Sequence, residues 1–237
     1  RDYYASRGLG DVYKRQSNVW LPEDYIIKCS QEVDLNKFAG MDCYVGVDLA
    51  ATSDLTAVAY LVVLDGTYHF KTHYYLPESA LKDKADKELY KYWKQQGYLT
   101  VTSGNVTDYD YITTDMLRYA DVVNIQSVGY DKYNATQWAI DSTEQGLPLE
   151  EYPQTLGNFN MPTRELERLI LSGKAVIDNN EINRYCFRNV TLKSDYNGNV
   201  KPNKAVDKKK IDGTIAMIQA LGMYLRTPHY TNEILTI

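Results

Sequence analysis

The sequence predicts a mixed α/β domain in which one sheet is flanked by helices. Three observations lead to this prediction. Three short apolar segments joined by tight turns follow one another between residues 41 and 75. Helical patterns then alternate with single short strands, and a helix with an apolar stripe lies near the C-terminus. This alternation indicates strand-helix-strand crossovers, which place the strands that they connect parallel to each other.

The three apolar segments predict an antiparallel meander. Met41–Leu49, Thr56–Leu64 and Thr67–Tyr75 are rich in β-branched and aromatic residues, as strands are. Asp65-Gly66 is a two-residue hairpin signal between the second and the third segment. Strands joined by such short connections must be antiparallel neighbours.

The rest of the chain predicts helices that alternate with single strands. The Asn197-Gly198 pair indicates an added β-hairpin with a type I′ turn. The predicted segments are a helix within 77–97, a helix at 109–123, a strand at 125–131, a helix at 134–145, a weaker strand at 149–155, a helix at 162–172 that begins with a proline, the hairpin at 191–204 and a helix at about 208–225. A meander of three antiparallel strands, followed by parallel crossovers and a final helix, is the layout of the ribonuclease H-like fold.

The composition excludes several classes of protein. Hydrophobic residues make up 44% and charged residues 24% of the 237 residues, so the chain is not disordered as a whole. Its formal net charge of −5 gives no positive field over the whole molecule, and a polyanion would need a local basic patch or a bound cation. The three cysteines form no CxxC pair, and no apolar run is long enough to cross a bilayer. We therefore expect a soluble, cytoplasmic protein with no membrane partner.

The domain is expected to occupy residues 41–226. Residues 1–16 have the period of neither a strand nor a helix and look like translated sequencing adapter, so we expect a non-native segment there. Residues 17–40 are polar with scattered apolar anchors and indicate a linker that ends in a short helix. Residues 227–237 are expected to form a C-terminal tail.

Three aspartates stand out from the other acids by their position. Asp48 closes the first predicted strand, Asp131 closes the later one, and Asp212 lies in the first turn of the last helix. The first crossover makes the two strands parallel, so both of their carboxylates would emerge at the same edge of the sheet. Gly213 would allow the last helix to approach closely. The three acids are therefore expected to converge.

Three converging carboxylates predict a metal site. They repel one another unless protons or cations neutralise them, and oxygen ligands favour hard ions such as Mg²⁺ or Mn²⁺. Two such ions about 4 Å apart can activate a water, hold a scissile phosphate and stabilise the leaving oxyanion. Asp48, Asp131 and Asp212 are thus the candidate catalytic and metal-binding residues of a phosphodiester hydrolase. Each acid also has a simpler interpretation as a turn former, a helix cap or a partner of the helix dipole.

The segments that carry these acids resemble the nuclease domain of the large subunit of tailed-phage terminase. The resemblance runs from about residue 41 to 225, and its second and third motifs are fairly specific. The segments are YVGVDLA at 44–50 with DLTA at 54–57, HYYLPE at 73–78, GYDKYNA at 129–135 and KIDGTIA at 210–216.

This resemblance implies an endonuclease that cuts concatemeric double-stranded DNA during genome packaging, with two Mg²⁺ or Mn²⁺ ions on Asp48, Asp131 and Asp212. It makes Asp54 a further candidate near the metal, although a turn residue ahead of its strand is the simpler interpretation. The expected partners are the terminase small subunit, the portal and the ATPase domain, in the cytoplasm of the host cell. No GxxxxGK[ST] phosphate loop occurs here, so we expect a nuclease portion without the ATPase motor.

Five lysines near the third acid are candidates for contacts with the DNA backbone, namely Lys201, Lys204, Lys208, Lys209 and Lys210. A solvated loop and helix start is an equally acceptable interpretation. Lysines at the N-terminal end of a helix oppose its dipole, which favours a functional role.

Two other functions remain open at the level of sequence. One is a resolvase or recombinase of the same fold, which would cut branched DNA or transfer strands. The other is a non-catalytic docking module of the packaging motor, which would bind no metal.

Overall fold

Eight strands form one mixed sheet in the computed structural model, which describes residues 19–50, 54–82, 86–133, 135–206 and 209–228. The strands are β1 Ser30–Gln31, β2 Asp42–Asp48, β3 Thr56–Leu64, β4 Thr67–Pro77, β5 Thr100–Thr102, β6 Asn124–Tyr130, β7 Leu149–Glu151 and β8 Ala175–Asp178, with β9 Val190–Ser194 and β10 Val200–Lys204 as a separate hairpin. The order across the sheet is β1-β8-β4-β3-β2-β6-β7, and β5 pairs with the end of β4.

Helices cover both faces of this sheet. They are α1 Glu23–Cys29, α2 Lys87–Gln95, α3 Tyr109–Ala120, α4 Thr136–Glu144, α5 Leu156–Leu171, α6 Glu181–Arg188 and α7 Asp212–Arg226, with 3₁₀ turns at Leu35–Phe38 and Glu78–Lys82. The core on one face contains buried residues of α1, α2, α5, α6 and α7, and the core on the other contains those of α3 and α4. The predicted ribonuclease H-like α/β fold is confirmed.

The meander β2-β3-β4 has the predicted antiparallel pairing. Its hairpin turn places Asp65 at φ 51° and Gly66 at φ 70°, and these two positive φ angles are those of a type I′ turn. The twist of this turn matches the right-handed twist of the flanking strands, which explains why a nine-residue strand can pair with β4 along its whole length.

Among the strands of the sheet, only β3 runs against the common direction. β6 is parallel to β2, β7 is parallel to β6, and β4 is parallel to β5 and β8. The crossovers predicted after the meander are therefore present. Since β2 and β6 are parallel neighbours, their carboxyl ends lie side by side at one edge of the sheet.

Side chains along β2 alternate between the two faces. Cys43, Val45 and Val47 belong to the core on the α3–α4 face, whereas Tyr44 belongs to the core on the α7 face. Successive strand residues point to opposite faces, so Gly46 and Asp48 also point towards α7. This alternation places the Asp48 side chain on the face of the sheet that α7 covers.

Residues 19–40 pack against the domain, although their composition indicates a linker. Trp20, Leu21 and Ile26 are buried in the core on the α7 face, and Leu35 and Phe38 in the other core. β1 also pairs in parallel with β8. These buried anchors are enough to order the segment, although Tyr25 and Ile27 remain exposed. Residues 1–16, and 229–237 of the tail, lie outside the described residues.

Helix α5 begins six residues before the predicted proline start. Thr155 caps it, because its hydroxyl accepts a hydrogen bond from Asn158 N. Pro162 therefore lies inside the helix and cannot donate to the Asn158 carbonyl four residues earlier. The Tyr152 hydroxyl donates to that carbonyl instead, at 2.7 Å. A side chain from outside the helix thus replaces the hydrogen bond that the proline removes.

The hairpin β9-β10 is present, but its turn differs from the predicted type I′. Ser194 pairs with Val200, which leaves the five residues 195–199 in the loop. Only Gly198 of these has a positive φ, at 80°. The Asp195 carboxylate accepts hydrogen bonds from the backbone of Asn197 and Asn199 and holds the longer loop.

Four short elements escape sequence-based prediction, namely β1, β5, β8 and α6. β8 has four residues and α6 has eight, which is too short for a periodic pattern to be distinctive. No helix in the described part of the chain combines the length and the apolar composition that crossing a membrane requires.

Candidate functional site

Two of the three predicted acids lie side by side at the carboxyl edge of the sheet. Val47 of β2 is in register with Tyr130 of β6, so Asp48 and Asp131 are the next residues along two parallel strands. Adjacent strands are about 4.8 Å apart. Both side chains point to the face that α7 covers, because each lies two residues beyond a glycine, Gly46 or Gly129, that contacts this helix.

Helix α7 brings the third acid to the same place. A Cβ atom at Gly46 would collide with backbone atoms of Ala216 and Ala220, so the helix backbone rests directly on β2. From Gly46 the strand advances about 6.7 Å to Asp48. From Ala216 the helix runs back about 6 Å, one turn, to Asp212. The two acids therefore meet on the same face of the sheet, which agrees with the mutual influence of their charges described below.

A second glycine allows Asp212 to be buried. Gly213 lies against the Tyr74 hydroxyl, which a Cβ atom at that position would overlap. Tyr74 is itself fixed, since its hydroxyl donates a 2.5 Å hydrogen bond to Asn183 Oδ1 of α6. The predicted close approach at Gly213 is thus present, and the Asp212 side chain is only 6% exposed.

The environment of these acids opposes their ionisation. Burial raises the pKa of Asp48 well above its ordinary value, and the charges of Asp212 and Asp131 raise it further. A hydrogen bond from Gln154 and the charge of Lys204 act in the opposite direction. Burial likewise raises the pKa of Asp212, against the charges of Lys204 and Lys210. The charges of these lysines therefore do not offset the effect of burial on the two acids.

Asp212 also has an unused oxygen. Its Oδ2 atom is buried, and no donor in the described structure reaches it. A buried carboxylate oxygen without a partner is costly, and a hard cation would satisfy it. The donor set of carboxylate oxygens and the raised pKa values of Asp48 and Asp212 fit Mg²⁺ or Mn²⁺. Among the described residues, no group of three His, Cys, Asp or Glu side chains is arranged so that it could hold an ion as it stands.

Gln154 connects Asp48 and Asp131. Its side-chain Nε2 donates to Asp48 Oδ1 at 2.9 Å, and its backbone N–H donates to Asp131 Oδ2 at 3.0 Å. The second oxygen of Asp131 accepts from Tyr133 N. Sequence analysis does not identify Gln154, because it lies in an irregular segment between β7 and α5 and belongs to no motif.

Asp54 has cationic neighbours rather than acidic ones. Its carboxylate forms ion pairs with Lys204 and with Lys210, and the Lys204 pair measures 3.6 Å. Burial lowers the pKa of Lys210, and the charge of Asp212 raises it. Asp54 therefore holds two ammonium groups near Asp212, from a bend just ahead of β3. Its role near a metal stays a prediction.

The other predicted lysines are distributed differently. Lys201 donates to the Gln154 carbonyl at 2.9 Å, so it supports the acid site rather than solvent contacts. Lys209 is exposed and lies over the Tyr185 ring, 5.7 Å from its centre. Lys208 lies outside the described residues. The four lysines that the structure describes thus do not form one uniform patch on the surface.

The histidines of β4 take no part in this site. His73 lies on the opposite face of the sheet, where its Nε2 shares a 2.9 Å hydrogen bond with the Tyr119 hydroxyl. Its ring also packs edge-on against Tyr60. Burial lowers the pKa of His73 to about 4, so it is neutral at pH 7.

Comparison with known proteins identifies the family. The family model "Terminase large subunit, endonuclease domain" matches residues 11–227. Protein YmfN of Escherichia coli K12 is 31% identical over 210 residues, which are 81% of this chain and 45% of that protein. The chain spans less than half the length of the curated relatives it matches.

Solved structures agree with this family. The crystal structure of the HK97 bacteriophage large terminase has a TM-score of 0.76 at 26% identity, covering 85% of this chain and 43% of that one. The large terminase nuclease of thermophilic phage G20c, solved with bound magnesium, has a TM-score of 0.52 at 12% identity and covers 76% of this chain and 80% of that one, which shows a shared fold. Because the family model matches nearly the whole chain, this chain belongs to the family of terminase large subunit endonuclease domains.

Proposed function

We propose that this chain is a metal-dependent endonuclease that hydrolyses phosphodiester bonds of double-stranded DNA during phage genome packaging. The observation that supports this proposal is the placement of Asp48 and Asp131 at the ends of two adjacent parallel strands, with the buried Asp212 on the helix that packs against the first of them. Membership of a terminase endonuclease family supports the DNA substrate, and it favours this function over a resolvase or a docking module.

The three aspartates would hold two Mg²⁺ or Mn²⁺ ions. When bound, such ions supply Lewis acidity that lowers the pKa of a water and neutralises the leaving oxygen. The chain itself supplies three acidic ligands whose mutual repulsion is relieved only by added positive charge. The unpartnered Oδ2 of Asp212 supports its role as a ligand. The magnesium-bound G20c nuclease shows that a metal can be bound on this fold.

Lysines beside the acids would complete the site. Lys204 and Lys210 are held next to Asp212 by Asp54, so positive charge is already present where a phosphate would arrive. The exposed Lys209, together with Lys208, would contact the DNA backbone outside the site. In a molecule with a net charge of −5, this local charge would provide the attraction for DNA.

The remaining partners follow from the family. The terminase small subunit, the portal and an ATPase domain of the large subunit would deliver DNA to this site in the host cytoplasm. Their control over access implies slow and nonspecific cutting by the isolated chain.

Cleavage of a supercoiled plasmid by the purified chain in Mn²⁺, Mg²⁺ or EDTA tests this function. We expect nicking and linear product with either metal, none in EDTA, and no activity in Asp48→Asn and Asp212→Asn. Asp121→Asn, which removes an exposed aspartate at the end of α3, is the matched control and should cut like wild type. Cutting in EDTA, or equal rates in all three variants, would overturn the proposal.

A further inference from the structure

One residue outside the acidic triad touches two of its members and a lysine. Gln154 donates its side-chain amide to Asp48 and its backbone N–H to Asp131. Its carbonyl accepts from Lys201 Nζ of the β9-β10 hairpin at 2.9 Å. Three polar groups of a single residue thus engage two acids and one cation around the same edge of the sheet.

The backbone on both sides of Gln154 is fixed. Tyr152 is 1% exposed, and its N–H donates to the Tyr130 carbonyl at 2.6 Å, one residue before Asp131. On the other side Thr155 caps α5 through its hydroxyl. Gln154 is therefore held between an extension of the sheet and the first turn of a helix. Its donors are pre-positioned rather than carried on a mobile loop.

Its contacts leave coordinating capacity on both acids. The side-chain amide occupies only Oδ1 of Asp48, and each carboxylate oxygen has two lone pairs. A carboxylate that binds a metal is normally held by such outer hydrogen bonds, and their loss typically weakens metal binding by roughly 10–100-fold. Gln154 has the position and the chemistry of such an outer partner for two ligands at once.

We propose that Gln154 is a positioning residue that orients the Asp48 and Asp131 carboxylates for a divalent cation. The proposal rests on the metal-dependent function proposed above. It extends that function to a residue that contributes no charge and no metal ligand of its own. Lys201 supports the position of Gln154 by donating a hydrogen bond to its backbone carbonyl.

Calorimetric titration of the purified full chain with MnCl₂, without DNA, tests this role. Gln154→Leu keeps the backbone N–H to Asp131 and removes only the donor to Asp48. We expect it to weaken Mn²⁺ binding roughly 10–100-fold while the melting temperature of the metal-free protein changes little. Gln137→Leu, which removes an exposed amide bonded to Asp141 on α4, should bind Mn²⁺ like wild type.

The outcomes separate this inference from the proposed function. Wild type that binds no Mn²⁺ would overturn the metal-dependent function itself. If wild type binds Mn²⁺ and Gln154→Leu binds it with equal affinity, only the role of Gln154 is overturned. If Gln154→Leu fails to fold, Gln154→Met gives the same test. The flexible methionine side chain fills the space of the glutamine side chain without supplying a hydrogen-bond donor. Equal affinity in that variant would likewise overturn the role.

Discussion

His73 shows how strongly burial, with a smaller effect of the Lys71 charge, can set the protonation state of a single residue. Its pKa of about 4 lies well below the value of about 6.5 expected in the unfolded chain. Since the unfolded state binds the proton more readily, His73 stabilises the folded protein fully above pH 6.5. This contribution is lost progressively as the pH falls from 6.5 towards 4.

Replacing this histidine gives a prediction about pH dependence. Wild type should lose about 2 kcal/mol of unfolding free energy through His73 between pH 7 and pH 5. His73→Gln removes the titrating group. Over the same pH range this variant should therefore lose about 2 kcal/mol less unfolding free energy than wild type. Urea unfolding of both proteins at the two pH values measures the difference. A wild-type minus variant difference that is the same at both pH values would contradict the low pKa.

Residues of the site differ in how far the sequence reveals them. Asp48, Asp131 and Asp212 could be chosen from many acids because their positions relative to the predicted strands and final helix are informative. Gln154 and the pairing of Asp54 with two lysines could not be predicted. These contacts link residues up to 156 positions apart, and no local pattern specifies which polar groups will meet. The roles of all these residues in catalysis remain proposals.

At the scale of elements, the packing of α7 on β2 determines the site more than any loop does. Helix α7 is buried from Asp212 to Met223, on all sides, because it lies between the sheet and the helices α5 and α6. Gly46 permits the approach, since any side chain there would meet the helix backbone. Backbone atoms cannot move aside as a flexible side chain could.

Gly46→Ala should therefore be severely destabilising. The added methyl group must push α7 away from β2, and overpacking of this kind costs up to about 3 kcal/mol. The melting temperature should fall by roughly 6–12 °C for a domain of this size. Gly157→Ala in α5 is the matched control, because open space surrounds that position, and it should be neutral or slightly stabilising. Equal melting temperatures of the two variants would show that α7 can shift freely.

The elements that the sequence predicts well are those with a clear periodicity of apolar residues or a strong turn signal. The meander and the Asp65-Gly66 turn are confirmed, as are β6 and the helix at 109–120, because their patterns extend over many residues. The predicted start of α5 is wrong, because prolines favour the first turn of a helix but Pro162 lies inside this one. Only a distant hydroxyl, that of Tyr152, makes an internal proline acceptable there. Such a tertiary partner leaves no sign in the local sequence.

At the scale of the whole molecule, the metal-free protein carries two buried acids whose ionisation is opposed by burial and, at Asp48, also by the neighbouring acids. The raised pKa values of Asp48 and Asp212 mean that ionising them at neutral pH costs folding free energy. A ligand that binds only the folded state recovers this cost by mass action. Stability of the entire domain should therefore depend on divalent cations.

Thermal unfolding with and without Mn²⁺ measures this dependence. At a metal concentration about 100 times the dissociation constant, the gain should be about 2.7 kcal/mol. That gain corresponds to a rise of roughly 5–11 °C in melting temperature, which EDTA should reverse. A double variant, Asp48→Asn with Asp212→Asn, should start more stable without metal and gain nothing from Mn²⁺. A similar metal-induced rise in this variant would place the binding elsewhere.

The contact of α7 with Gly46 has a further consequence for the size of ion that the proposed metal site would accept. Asp48 and Asp212 are carried on two backbones in direct contact, so their separation cannot widen without displacing a buried helix. Mg²⁺ binds oxygen at about 2.1 Å and Ca²⁺ at about 2.4 Å. A metal site bounded by these two backbones would discriminate by ionic radius, because the larger ion would have to part the helix from the sheet.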